Sequence, residues 1–297
     1  MTDSAPTSLR HRDRGPQVAA IALSALIAAA VLAPLLAPFA ADALDLAHRR
    51  SAPSFTHWFG TDELGRDVFT RVLFGARVSL AIGLISATMS VLIGAAIGAT
   101  AGYAGRWLDD VLMRATDAML CIPRLPLLMI AAAFMRPSVL LLVVFVGVVG
   151  WMETARVVRA SVQTLAQRDY VTAARAMGAS PWRVVVRHVL PGVLPVLVVA
   201  TTLAVGRGIL LESALSFFGV GVQPPTASWG NMLYQAQTTM SSEPWLAVFP
   251  GVMIFLSVLA CNAVGDAIGG EPLSRIRAKA GEAFVDSPTA RVSYRKG

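Results

Sequence analysis

The chain has 297 residues, of which 55% are hydrophobic and only 14% charged, where globular domains carry about 25% charged residues. With a mean hydropathy of +0.62 it lacks the polar surface of an ordinary soluble enzyme and the composition of a disordered chain. The net charge of +7 admits a nucleic-acid binder, but in so apolar a chain a basic balance more often reflects the Lys/Arg excess of cytoplasmic membrane loops.

A helix crossing about 30 Å of hydrocarbon needs about 20 apolar residues. Runs of that kind fall at 18–39, 78–100, 137–152, 191–211 and 245–263, with Arg207 as the charged interruption of the fourth. The first run follows Arg10, Arg12 and Arg14 and precedes Ala41-Asp42-Ala43, which resembles a signal-peptide cleavage site. Its apolar stretch exceeds the roughly 7–15 residues of a signal peptide, so a retained signal anchor is the better reading. Residues Val68, Phe69, Val72, Leu73 and Ala76 recur at helical spacing opposite Asp67 and Arg71. They predict an amphipathic helix at the interface before the second span, with arginines among the headgroups. Gly83, Gly94 and Gly98 give the second span a small face. Such a face serves either core packing or contact with another membrane subunit.

A sixth span is expected over residues 110–134, where Arg114, Asp117 and Arg124 interrupt an apolar pattern and Pro123 and Pro126 break it. A broken helix persists at membrane depth only where protein or a water-filled path surrounds it. An interfacial helix followed by a short re-entrant piece is the alternative. The fold class expected is therefore all-α, a polytopic membrane protein with six transmembrane helices. Its divisions are a cytoplasmic tail at 1–17, a first transmembrane helix at 18–40, an extracytoplasmic loop at 41–77, a core at 78–268 and a cytoplasmic tail at 269–297. With six spans both termini share a side, and seventeen of the 25 basic residues fall on it. That side is taken as cytoplasmic.

The segment 169–191 reads locally as helix, turn, helix. Asp169 is placed to cap the first helix, Gly178 to end it, and Ser180 to cap the second, with Pro181 at its first position. Arg183 and Arg187 lie four apart on one face.

This segment resembles the E-A-A-x-x-x-G-x9-I-x-L-P loop of ATP-binding-cassette importer permeases. The chain has Thr172-Ala173-Ala174, Gly178, and then His188 before Leu190-Pro191. Thr172 stands where the family has Glu, and His188 where it has an aliphatic residue. Residues 57–67, His-Trp-Phe-Gly-Thr-Asp-Glu-Leu-Gly-Arg-Asp, are similar to a stretch of the dipeptide/oligopeptide/nickel subfamily. Residues 212–225 and Ser228-Trp229-Gly230-Asn231-Met232 resemble the outer loop, 212–244 here, of its C-type permease. The tail departs, with Gly265-Asp266-Ala267-Ile268-Gly269-Gly270 in place of the usual G-D-x-L-R-D pattern.

The resemblance implies the permease fold of a type I importer, in the inner (plasma) membrane. It implies transport of dipeptides or oligopeptides, with nickel chelates or glutathione as alternatives; a stand-alone secondary transporter is the rival reading outside the resemblance. The implied partners are a homologous permease, two ATPase subunits, an extracytoplasmic substrate-binding protein and the lipid bilayer, with no nucleic acid. Tyr170, Thr172, Ala173, Ala174, Met177, Gly178 and Arg183 would form the ATPase-coupling loop. No G-x-x-x-x-G-K-[ST] loop is present, so no cofactor is expected in this chain. ATP and Mg would be bound by partner subunits.

No nucleophile motif appears, and His11, His48, His57 and His188 with Cys121 and Cys261 show no metal-ligand spacing. Catalysis and a metal site are therefore not expected, and both cysteines read as small core residues. Ionisable residues within spans are costly and default to functional candidates. Asp117, Arg207, Glu212, Ser216 and Phe217 are the candidates for the translocation path or outer gate, a helix-anchoring role being the alternative for Arg207 and Glu212. Glu153 is expected to pair with Arg156, and for Asp117 an ion pair with Arg114 on one helix face is the alternative. The partner of Arg207 must come from another helix or chain.

Overall fold

The computed structural model describes residues 15–134 and 138–285, the last fifteen as backbone only. Arg10, Arg12, Arg14, Pro137, Arg291, Arg295 and Lys296 lie outside the described residues. Among the described residues the regular structure is helical, with a mostly irregular segment at 37–67 and a single isolated bridge there between Thr61 and Asp67.

Helix α1 covers Gly15–Val31 and the short α2 covers Ala33–Leu36. Pro34 removes a donor and crowds the preceding turn, so the first apolar run is interrupted at Leu32 and its helix ends before Phe39. Helix α3, Val68–Ala104, has 37 residues and spans about 55 Å. Its length corrects the sequence reading at 67–77. There is no separate interfacial helix, because those residues are the N-terminal end of α3 itself, capped by Asp67 accepting from the Thr70 N–H at 2.8 Å. Arg71 is buried in protein rather than set among headgroups.

Helices α4, Arg106–Leu120, and α5, Arg124–Ala133, meet at 78°. The break sits at Cys121–Pro123. Pro126 falls in the first turn of α5, where its missing donor would have had no partner. Helix α6, Val139–Val149, and α7, Trp151–Ala166, together make one 28-residue candidate span, extending well past the Met152 limit read from apolarity. The short helices α8, Asp169–Ala176, and α9, Pro181–Val184, lead through a π-helical turn, Val185–Val189, into α10, Leu190–Phe217. Pro191 has no N–H to return to the carbonyl four residues back, and the Leu190 N–H instead reaches Val185 O, five back. Helix α11, Trp229–Ala236, precedes α12, Trp245–Val285.

Four helical segments are long and apolar enough to cross a membrane, five if the bent α4–α5 pair counts as one, and α1 is a shorter apolar helix. This arrangement is compatible with six spans. Helix α3 runs through the middle, packed on α6–α7 and on α10, while α12 lies on α10 and α1 lies on α12 and α3.

The glycines of α3 explain that closeness. A Cβ added at Gly94 would sit 2.6 Å from Trp151 O, at Gly98 2.4 Å from Ala155 O, and at Gly83 2.6 Å from Ile209 Cγ1. The small face is therefore consumed by contact with α7 and α10 of the same chain, which is the core-packing reading.

Candidate functional site

Three groups of residues carry the functional argument: the α8–α9 loop, a ladder of charges along α7, and the buried polar network at the opposite end.

The α8–α9 loop forms because its caps are local. The N-cap of α8 is Arg168, with Asp169 at the first helical position and no side-chain cap. This corrects the assignment of Asp169 as the cap, although a carboxylate in the first turn still suits the helix dipole. Thr172 Oγ1 donates to Arg168 O at 3.4 Å. At the other end Gly178, with φ +85°, reverses the chain. Its N–H donates to Arg175 O at 2.9 Å and the Ala179 N–H to Ala174 O at 3.1 Å, the paired bonds of a Schellman stop. A Cβ at Gly178 would meet open space, so the constraint there is conformational alone. Ser180 caps α9, accepting from the Arg183 N–H at 3.4 Å.

The loop is anchored by Val171 and Val184, packed on Val158, Val162, Val189 and Val193, by buried Ala174, and by Arg175 over the Tyr103 ring at 5.0 Å. What remains outside is unusually apolar. Tyr170 is 49%, Met177 82% and Trp182 77% exposed, beside exposed Ala173, Thr172, Gly178 and Arg183. Ala174 faces inward and does not share that surface.

Along α7, Glu153, Arg156, Arg159 and Gln163 follow helical spacing toward α4 and α5. Asp109 accepts from Arg159 Nε and Nη2 at 2.5 and 2.6 Å and from Gln163 Nε2 at 3.2 Å. Asp117 pairs with Arg156. Glu153 bridges two arginines, Arg124 Nη2 at 2.9 Å and Arg207 Nη1 at 3.1 Å. The pairings expected from sequence, Glu153 with Arg156 and Asp117 with Arg114, are thus replaced by pairings between helices. Bidentate, cross-helix geometry orders these long side chains better than an exposed i,i+3 pair does. Arg207 and Glu153 are the charged members of a groove of about 580 Å³ between α7, α10 and α12, otherwise lined by residues such as Val157, Pro195 and Leu203.

Glu212 has 0% exposure. Ser79 Oγ of α3 donates to it at 2.9 Å, Ser216 Oγ at 2.8 Å and Ser213 Oγ at 3.3 Å. Ser79 Oγ also accepts from the Trp229 N–H at 3.2 Å, and Ser216 Oγ from the Val222 N–H at 3.0 Å. Trp229, fully buried, donates Nε1–H to Val72 O at 3.1 Å. One carboxylate thus ties α3, α10 and α11 together. Phe217 is half-buried beside Phe218, their ring centroids 5.6 Å apart. Ser216, Phe217 and Glu212 lie together near the end of α10, whereas Arg207 faces the groove and Asp117 the ladder.

Sequence reasoning missed the 37–67 segment as a folded unit. Asp62 accepts from the Leu64 and Arg66 N–H groups, each at 2.9 Å, and from Arg66 Nε at 2.6 Å. His57 Nδ1 meets Asp67 Oδ1 at 2.9 Å. The histidines show no metal-ligand spacing in the sequence, yet the fold brings two of them together. Asp45, His48 and His57 each offer a ligand atom, all within 4.8 Å of one another, because an irregular loop, not a helical register, brings them together. The His48 hydrogen bond holds the Asp45 carboxyl below its ordinary value. Of the cysteines, Cys261 is buried as expected and Cys121 is exposed, and neither forms a disulfide.

The comparisons with known proteins agree with this architecture. Residues 91–270 match the family described as binding-protein-dependent transport system inner membrane component. A protein of Brucella suis biovar 1 provisionally named a peptide permease is 41% identical over 250 residues, covering 84% of this chain and 83% of its own length. The dipeptide transport system permease protein of Alkalihalophilus pseudofirmus is 37% identical over 251 residues, covering 84% and 83%. The glutathione transport system permease protein of Pectobacterium atrosepticum is 39% identical over 244 residues, covering 82% and 81%. The chain belongs to the family of binding-protein-dependent transport system inner membrane components, and is a multi-pass permease component of an ATP-binding-cassette transporter rather than an enzyme.

Proposed function

We propose that this permease imports dipeptides or oligopeptides, and that the α8–α9 loop is where separate ATPase subunits drive it. The observation that carries the reading is the exposed apolar face of Tyr170, Met177 and Trp182 on a loop anchored from beneath by buried valines. Leaving such side chains in water costs about 1.5–3 kcal/mol each relative to burial, so a partner that covers them gains what the monomer forgoes. Thr172, Ala173, Gly178 and Arg183 border the same face, while Ala174 supports it from within. ATP and Mg belong to the ATPase partners. A homologous permease supplies the other half of the path, and an extracytoplasmic binding protein delivers substrate at the end formed by α11 and the 37–67 segment. The N- and C-termini, by the Lys/Arg distribution, are cytoplasmic.

The path on this subunit is assigned to the groove holding Arg207 and Glu153, since a peptide carries both an ammonium and a carboxylate. Asp117 and Arg156 lie on the ladder that leads to it. Glu212 and Ser216 anchor the outer end, with Phe217 beside them. Peptide is favoured by the names of two of the relatives, and glutathione is the second reading because the third is named for it.

The test is a pair of substitutions, Ala173→Arg and Gly178→Asp. Transport by the co-expressed system and co-purification of the ATPase both fall, while membrane insertion persists. Unchanged transport in both variants overturns the coupling assignment. Uptake of labelled dipeptide and of labelled glutathione, measured in parallel, separates the two substrates.

A further inference from the structure

The loop between α2 and α3 holds two histidines arranged in the same unusual way. His48 Nδ1 lies 2.7 Å from Asp45 Oδ2, and His57 Nδ1 lies 2.9 Å from Asp67 Oδ1. A carboxylate beside Nδ1 favours the tautomer that holds its proton there, which makes Nε2 the ring nitrogen available to a metal. Carboxylate–histidine pairing of this kind fixes the tautomer and orientation of metal-binding imidazoles. The ring centroids are 6.1 Å apart, tilted by 47°. Sharing one tetrahedral metal about 2 Å from each nitrogen puts two ring centroids about 5 Å apart, so the exposed His48 ring closes by about 1 Å on binding. Ligand atoms of Asp45, His48 and His57 already lie within 4.8 Å of one another.

The backbone beneath these side chains is fixed. Thr61 Oγ1 donates to His48 O at 2.5 Å, and Arg50 N–H donates to Asp62 O at 3.0 Å. Gly65, at φ +75°, passes so close to Asp45 that an added Cβ would lie 1.8 Å from its carbonyl oxygen. His57 is 7% exposed and its ring stacks on Phe39 at 5.0 Å. The nearest cations are turned elsewhere. Arg49 Nε donates to Glu63 O at 2.6 Å, and Arg50 pairs with Glu243 at 3.4 Å. His48 and Asp45, by contrast, are open to solvent on their outer side, with side chains 62% and 45% exposed, which gives an ion a route in and leaves positions for water.

We propose that His48 and His57, with Asp45 as a third ligand or as the partner behind His48, bind one divalent transition metal of the imidazole-preferring class, such as zinc. The ion clips the 45–48 turn to the segment that caps α3. Its effect is structural: Asp67, which orients His57, also caps that helix, so the site tightens the outer end where α3 begins.

The experiment is a Co²⁺ titration of the full-length, untagged chain in detergent after chelator treatment, read by visible absorption and followed by Zn²⁺ displacement. The wild type takes up one Co²⁺ with tetrahedral-type bands that Zn²⁺ abolishes, and Zn²⁺ raises its Tm. His48→Ala, a change at an exposed side chain that leaves the metal-free Tm unaltered, weakens binding by at least tenfold and removes the Zn²⁺ effect on Tm. Asp45→Asn weakens binding about tenfold. Absence of saturable binding in the wild type, or equal affinity in His48→Ala, overturns the site. Binding without a rise in Tm overturns the clip.

Discussion

At the end of the bundle built from α11 and the 37–67 segment, Asp62, Arg66, Arg71 and Glu212 are all less than a tenth exposed. At the opposite end Arg156 and Asp117 pair while 51% and 55% exposed, and the apolar side chains of Met177 and Trp182 stand open. One end has therefore buried most of its charge within the chain, although Arg71 Nη1 and Nη2 find no partner there and Phe55 and Trp58 stay exposed. The other leaves its ion pairs half-exposed and its apolar loop side chains open. Buried charges held by hydrogen bonds make a rigid unit, since removing one member strands the others in a low dielectric. Half-exposed ion pairs contribute little each and can exchange partners without a large penalty, as the proposed coupling to an ATPase requires.

The contrast breaks most visibly at two tryptophans. Trp229→Ala removes a fully buried ring and costs about 3–5 kcal/mol, seen as a large fall in Tm of the detergent-solubilised chain. Trp182→Ala removes a ring that is 77% exposed. It leaves Tm nearly unchanged and weakens association with the ATPase. Equal effects of the two on Tm contradict the division.

Glu212→Ala comes next. It strands the hydroxyls of Ser79 and Ser216, each about 1–3 kcal/mol when buried without a partner. Glu212→Gln keeps an acceptor and loses less, so the order of Tm is wild type, Gln, then Ala. At the small end of the scale, a double-mutant cycle on Asp117→Ala and Arg156→Ala gives a coupling energy of about 0.2–1 kcal/mol in denaturant or thermal unfolding. A coupling as large as the Glu212 loss shows that the ladder is as rigid as the outer network.

How much of this was legible in the sequence follows from the range of each interaction. The α8–α9 loop was readable because Gly178, Ser180 and Pro181 act within a few residues of themselves. Even there the cap moved from Asp169 to Arg168, since both helix starts satisfy the same local pattern. The apolar runs marked the spans but not their ends. Composition stopped the 137–152 reading at the first charges, although α7 continues as helix with Glu153, Arg156 and Arg159 paired across to other helices. Which helix received the glycine face of α3 depended on packing with α7 and α10, and no spacing within α3 encodes that. The Glu153–Arg207 pair and the Ser79–Glu212 bond join residues 54 and 133 positions apart. His48 and His57 meet through an irregular loop whose path is set by Gly60, Gly65 and the Asp62 turn. The 57–67 motif was visible as a resemblance, but its role in burying Arg66 and Arg71 was not.

The most direct measurement is site-directed crosslinking in a Cys121→Ser, Cys261→Ser background with the ATPase subunits co-expressed. Single cysteines are placed at Met177, which is 82% exposed on the α8–α9 loop, and at Phe55, which is 101% exposed in the 37–67 segment. The account predicts a crosslink to the ATPase from Met177→Cys and none from Phe55→Cys. A crosslink from Phe55→Cys together with none from Met177→Cys contradicts it.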